Sequence, residues 1–136
     1  MYRVTREIEF CYGHRLLDYD GKCRHLHGHN GRAVIVLESP RLDDRGMLVD
    51  FNEIKHEVQR WIDDNLDHNM ILCQDDPILP LLSERGERVY VMDCNPTAEN
   101  IARLIFDRTA AAGLPVVEVL LWETEKCHAG YAREPR

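Results

Sequence analysis

The run CRHLHGHN, residues 23–30, leads straight into GRAVIVLE at 31–38, and its reading decides the fold. Three of the seven histidines fall within positions 25–29, and His27-Gly28-His29 opens an apolar, β-branched stretch that predicts a strand over 27–38. Side chains at i and i+2 of a strand share a face, so His27 and His29 can turn both imidazoles toward one ion, with Gly28 leaving room opposite. Upstream, Tyr2, Val4, Ile8 and Phe10 alternate with Arg3, Thr5, Glu7 and Glu9, a period of two that predicts a first strand, and FCYGH puts His14 at its end. Antiparallel pairing of the two strands through the loop LLDYDGKC would bring His14 to the pair as a third nitrogen donor. Three neutral imidazoles suit Zn²⁺ and leave one coordination position open, the pattern of a catalytic rather than a structural metal site. Parity alone leaves His25 open as a further ligand. His56, on a charged helical segment, is expected in solvent.

Cys23 precedes His27 by four residues, close enough for its sulfur to reach the open side of such a metal. A thiol near a divalent cation is acidified and could take a proton from a bound substrate. A fourth metal ligand and a surface thiol are the alternatives. Cys11, Cys73, Cys94 and Cys127 are expected as small apolar fillers.

Beyond the turn-like SPRLDDRG, Asp50 can cap a helix, with Glu53 three residues on and Phe51, Ile54, Val58, Trp61, Ile62 and Leu66 at helical spacing. Asp67 and His68 end it, a dipeptide that can form an acid/base relay or place a histidine at the helix dipole. The stretch from Asn69 to Asp93 is broken by Pro77, Pro80 and Gly86, with VYVM as a short strand. Asn95 or Thr97 can cap a second helix that Gly113 stops. VVEVLLWE is the clearest strand, and CHAGYA reads as its hairpin partner. The order strand, strand, helix, helix, strand, strand predicts an α+β class with an antiparallel sheet backed by two helices. Glu123 ends an apolar strand, where an unpaired carboxylate is costly, so a donor-rich partner such as the guanidine-like edge of a heterocycle is expected.

The chain has 136 residues and a formal net charge of -7, with a pI near 5.4. It fits one domain, 1–136, small for an enclosed site, so a site shared between subunits is in keeping with its size. The acidic balance argues against nucleic-acid binding, which needs a basic face, while the local basic group Lys22, Arg24 and Arg32 suits a small anionic substrate. No apolar run approaches the roughly 18 residues of a membrane span, and the amino terminus has no apolar signal core. A cytoplasmic protein without membrane contact is expected, and five scattered cysteines argue against a disulfide framework.

Taken in order, FCYGH, GKC, LHGHN, LVDF, LDHNM, NPTAEN and WET resemble the 6-pyruvoyl- and 6-carboxy-tetrahydropterin synthases over nearly the whole chain. The resemblance implies the tunnelling fold, in which each subunit gives a four-stranded antiparallel sheet with two helices on one face, and three sheets close into a barrel. It implies a homo-oligomer, a trimer or a dimer of trimers. It implies zinc on His14, His27 and His29, Cys23 as base, Asp67 and His68 completing a relay with it, and Glu123 anchoring the pterin. Thr97 and Glu99 match a segment near the neighbouring subunit's pterin pocket, with helix capping as the competing role. Members act on 7,8-dihydroneopterin triphosphate. The short spacer RHL between Cys23 and HGH resembles the carboxy branch, in the pathway to queuosine, which releases acetaldehyde and triphosphate. The pyruvoyl product and a non-catalytic metal- or pterin-binding relative are the alternatives. Tyr12 and Gly13 stand where the carboxy enzymes often carry two small residues.

Overall fold

Period-two patterning at the amino terminus builds β1 (Tyr2–His14), which pairs antiparallel with β2 (His27–Ser39) in unbroken register, from Tyr2 opposite Ser39 to His14 opposite His27. The computed structural model describes residues 1–134. Even positions of β1 and odd positions of β2 face one way, so Ile8, Phe10, Ala33, Ile35 and Leu37 form one buried layer. β5 (Val116–Trp122) lies antiparallel on the far side of β2, adding Val119 and Leu121 to that layer, and β6 (His128–Ala132) pairs antiparallel with β5.

The helices cover this layer. α1 (Phe51–Ile54), a π-helical segment (Lys55–Gln59) and α2 (Arg60–Asn65) run on as one helix that buries Ile54, Val58, Ile62 and, at its end, Leu66. Those four apolar residues are spaced by four, and each such step overshoots one α-helical turn by about 40°. The wider π turn absorbs part of the drift and keeps all four on the core. Asp50 caps the start by accepting from the Asn52 N–H at 2.9 Å. α4 (Ala98–Ala111) lies against β5 and β6 and buries Ile101, Ala102, Ile105 and Phe106. It stops at Gly113, whose φ of 84° belongs to the left-handed region that glycine enters freely.

The expected four-stranded antiparallel sheet proves to be part of a larger one. β3 (Asn69–Cys73) adds in parallel to the outer side of β1, and β4 (Val89–Met92) adds in parallel to β3, giving a mixed sheet of order β4-β3-β1-β2-β5-β6. A third short helix, α3 (Leu79–Glu84), connects them. Both added strands are short, and the broken segment between them hides their pairing in the sequence. They cover the edge of β1 at Tyr12–His14, which would otherwise leave unpaired backbone beside the site. Among the described residues no helix is long and apolar enough to cross a membrane.

Candidate functional site

The β1–β2 register decides the site. His14 and His27 are direct cross-strand partners and His29 stands opposite Tyr12, so all three imidazoles leave the sheet on the helix side, where the strands run out beyond the core. One nitrogen of each lies within 4.8 Å of the others. The Nδ1–H of His14 donates to the Pro96 carbonyl at 2.7 Å, and that of His27 to the His25 carbonyl at 2.7 Å. Each bond fixes the tautomer and leaves Nε2 with a free lone pair. The Nε2 atoms of His14, His27 and His29 are all buried without a hydrogen-bond partner, a costly condition for one polar atom and more so for three. Burial holds His14 and His29 below the ordinary histidine range, with the neighbouring imidazoles adding to the effect and Glu123 opposing it. Three neutral, convergent, orphaned donors fit a divalent metal such as zinc.

His25 takes no place in this group. Its carbonyl orients His27, while its ring accepts from Arg24 Nε at 3.3 Å. Cys23 sits half-buried in a one-turn 3₁₀ segment (Lys22–Arg24), tied back by the Leu16 N–H donating to its carbonyl at 2.8 Å. The loop thus bridges the ends of the two strands that carry the histidines. The filler reading of the other cysteines holds for Cys73, which is buried, and less so for half-buried Cys94; Cys11 and Cys127 are exposed. Cys11 occupies an odd position of β1, which points away from the core.

Glu123 follows β5 on the same parity as Val119 and Leu121, and so reaches the histidine side. Its two carboxylate oxygens lie 3.8 Å from His14 Nε2 and 3.8 Å from His29 Nε2. The Tyr12 hydroxyl donates to Glu123 Oε1 at 3.4 Å. Burial, then the Glu123 charge, pushes that phenol well above its usual range, so it stays protonated. An open hollow of about 930 Å³ reaches His29 and Glu123, but Glu9, Cys11, Asn30, Arg32 and Trp122, which also line it, belong to the face of the sheet away from the histidine cluster.

Asp67 and His68 are held elsewhere. Asp67 Oδ1 accepts from the Cys11 N–H at 2.9 Å and its Oδ2 from His68 Nδ1 at 2.9 Å. Burial alone would raise this carboxyl, but the Cys11 N–H and His68, with Arg88 beyond them, bring it below the usual carboxylate range. His68 has a left-handed φ of 59° and a side chain 71% exposed, a strained backbone of the kind that marks functional positions. It lines a second hollow with Tyr12, His27 and Arg88, so that hollow also borders the histidine cluster. Among the described residues no hydrogen bond or ion pair joins Asp67 or His68 to Cys23, Glu123 or the three histidines. Thr97 caps α4 by accepting from the Asn100 N–H at 3.1 Å, and Glu99 is exposed in the first turn. Asn95, the other capping candidate, instead clasps Leu17 through both its N–H and its carbonyl.

The Pro96 and His25 carbonyls lie beyond sequence reasoning, because a backbone acceptor has no residue signature. Arg15, next to His14, forms a two-point ion pair with buried Asp76, its Nε 2.8 Å from Oδ2, and so braces the strand end that carries His14 from a segment that reads as irregular.

A helix-backed sheet that gathers three orphaned imidazoles and a carboxylate at the open end of its central strands defines an α+β enzyme scaffold with a candidate metal centre. Residues 3–134 match the family described as 6-pyruvoyl tetrahydropterin synthase, and the chain belongs to it. A Rickettsia conorii protein called 6-carboxy-5,6,7,8-tetrahydropterin synthase is 40% identical, with 93% of this chain and 97% of the relative aligned. A Haemophilus influenzae protein of the same name is 30% identical over 96% and 99%. Among solved structures, an uncharacterized protein of Wolinella succinogenes superposes with a TM-score of 0.81 at 30% identity, covering 98% of both chains. The 6-pyruvoyl tetrahydropterin synthase of Caenorhabditis elegans shares the fold, with a TM-score of 0.73 at 22% identity over 98% and 96%.

Proposed function

We propose that this chain is a zinc-dependent 6-carboxy-5,6,7,8-tetrahydropterin synthase, converting 7,8-dihydroneopterin triphosphate to 6-carboxytetrahydropterin with release of acetaldehyde and triphosphate. The observation that carries the reading is the cluster of three partnerless Nε2 atoms with the Glu123 carboxylate 3.8 Å from two of them. The carboxy product is favoured over the pyruvoyl one by relatives of that name at 30 to 40% identity over nearly the whole chain and by the RHL spacer. Such a product serves 7-deazapurine synthesis, as in the route to queuosine.

His14, His27 and His29 would hold the metal through Nε2. Zinc, when bound, supplies Lewis acidity that lowers the pKa of the substrate's side-chain hydroxyls. Glu123 accepts two parallel N–H bonds from the pterin's amino and ring nitrogens, which orients the ring against the histidines. Cys23 accepts a proton from the substrate side chain, and Lys22 and Arg24 on either side attract the triphosphate. Among the described residues Asp67 and His68 make no hydrogen bond to this centre, although His68 shares a hollow with His27, and they would complete the relay in a neighbouring subunit of a trimer or dimer of trimers. Thr97 and Glu99 would border a neighbour's pterin pocket.

The test is incubation of zinc-loaded protein with 7,8-dihydroneopterin triphosphate. Acetaldehyde and 6-carboxytetrahydropterin are expected in equal amounts. A pyruvoyl product reassigns the branch, and no turnover by zinc-replete protein rejects the enzyme reading. Cys23→Ala is expected to keep its zinc and lose turnover; loss of zinc would make the thiol a ligand.

A further inference from the structure

We propose that Tyr12, seated in the space left by Gly31, is a positioning residue that fixes the Glu123 carboxylate for its heterocyclic ligand. The inference rests on the reading of Glu123 as the pterin anchor and adds the group that holds it in place.

Tyr12 is 2% exposed, although it carries a polar hydroxyl. A buried phenol needs a partner, and its partner is Glu123 Oε1. The reverse also holds: among the described residues Tyr12 is the one hydrogen-bond donor to that carboxylate. Glu123 stands one residue past the end of β5, its N–H donating to the Cys127 carbonyl at 3.1 Å. An anchor that must present two oxygens to two parallel N–H groups needs a defined plane. A carboxylate offers about four lone-pair directions, so one bond from Tyr12 sets the rotation and leaves the rest for the ligand.

The ring reaches this position because β2 has no side chain beneath it. A Cβ at Gly31 would stand 2.8 Å from Tyr12 Cε1 and 3.2 Å from Cδ1, closer than packed carbons tolerate. The φ of Gly31 is not in the left-handed region, so space rather than backbone conformation calls for glycine here. Phe10 stacks on the Tyr12 ring at 5.2 Å, and His14 and His29 contact it at 5.3 and 5.6 Å between centroids. The ring is thus clamped between the core and the nitrogen cluster, with the hydroxyl as its one functional extension. A residue needed for packing alone could have been phenylalanine.

Tyr12→Phe keeps the ring and removes the donor. Fluorescence titration of the zinc-loaded protein with 7,8-dihydroneopterin is expected to show binding weakened about tenfold, the scale of one hydrogen bond to a charged acceptor. KM rises, kcat stays within about twofold, and zinc per chain is unchanged, as for an interaction equal in ground and transition states. Gly31→Ala, which keeps the hydroxyl but displaces the ring, weakens binding in the same direction. In a Glu123→Gln background Tyr12→Phe adds no further loss, whereas a merely structural tyrosine would add its full effect. Wild-type affinity in Tyr12→Phe, or full additivity with Glu123→Gln, overturns the inference and leaves the anchor reading intact. Equal binding by wild type and Glu123→Gln overturns the anchor reading, and this inference with it.

Discussion

Two histidine-bearing regions of this molecule are built on opposite principles. His14, His27 and His29 are buried or half-buried, braced by the Pro96 and His25 carbonyls and by the ion pair of Arg15 with Asp76, and their Nε2 atoms converge on a common point. His68 is exposed, held in a left-handed backbone conformation by Asp67 and the Cys11 backbone, and lines a hollow that His27 also borders, with no hydrogen bond to the cluster among the described residues. The first arrangement gathers its three nitrogens within this chain. The second pairs charge with a left-handed backbone at an exposed position, and under the proposed function it would serve the cysteine of another copy.

The largest expected effect separates the two. His14→Ala abolishes both zinc binding, read by metal content after dialysis, and turnover. His68→Ala or Asp67→Asn retains zinc and lowers kcat by about 10² to 10⁴, the range of a lost acid/base group. Cys23→Ala and His68→Ala chains, each inactive, are then unfolded, mixed and refolded together. Activity should reappear in the mixture, since some interfaces join an intact cysteine to an intact histidine. A mixture as dead as its components would place the relay within one chain and break the contrast.

Much of the first region is legible in the amino-acid sequence, and the reason is parity. Two residues apart on a strand means one face, so His27 and His29 follow from HGH, and His14 needs only the pairing of the flanking strands. Glu123 is legible as a carboxylate ending an apolar run. The second region resists because its geometry depends on β3 and β4, whose short apolar runs have no period to read and whose parallel pairing with β1 is set by tertiary contact. The same segment hides Asp76. The Tyr12–Glu123 contact requires the β1, β2 and β5 registers together, although the parity of Tyr12 with His14 already places both on one face. The exposure of Cys11 follows from the same alternation, which a general expectation about cysteine overrides.

A middle-sized effect tests the brace behind the metal site. Asp76→Ala leaves the Arg15 guanidinium without its partner and is expected to cost roughly 3 kcal/mol, the lower end for breaking a buried ion pair, measured by denaturant unfolding at neutral pH. The dependence on pH has a definite sign. Arg15, ahead of the Ile78 N–H, holds the Asp76 carboxyl below its ordinary value. Its stabilisation is therefore full above the unfolded carboxyl value of about 3.9 and is lost as pH falls through the lower folded value. The gap between wild type and variant should close below about pH 4. A gap that persists there would mean that the carboxyl's shape, rather than its charge, braces the strand.

The smallest effect concerns Thr97, which stands between the two regions in kind. Its Oγ1 already accepts from the Asn100 N–H, so Thr97→Ala should lose about 1 kcal/mol through the helix cap alone, read as a lower unfolding midpoint. The hydroxyl still has its own proton to donate, and the proposed role beside a neighbour's pterin would use it. Weaker 7,8-dihydroneopterin binding by Thr97→Ala, by about threefold, is then expected in the assembled oligomer as well. Thr97→Ser keeps both the acceptor and the proton and should restore stability and binding together. A loss of stability without any change in affinity would confine Thr97 to its cap, leaving Asp67 and His68 as the residues through which one subunit would serve another.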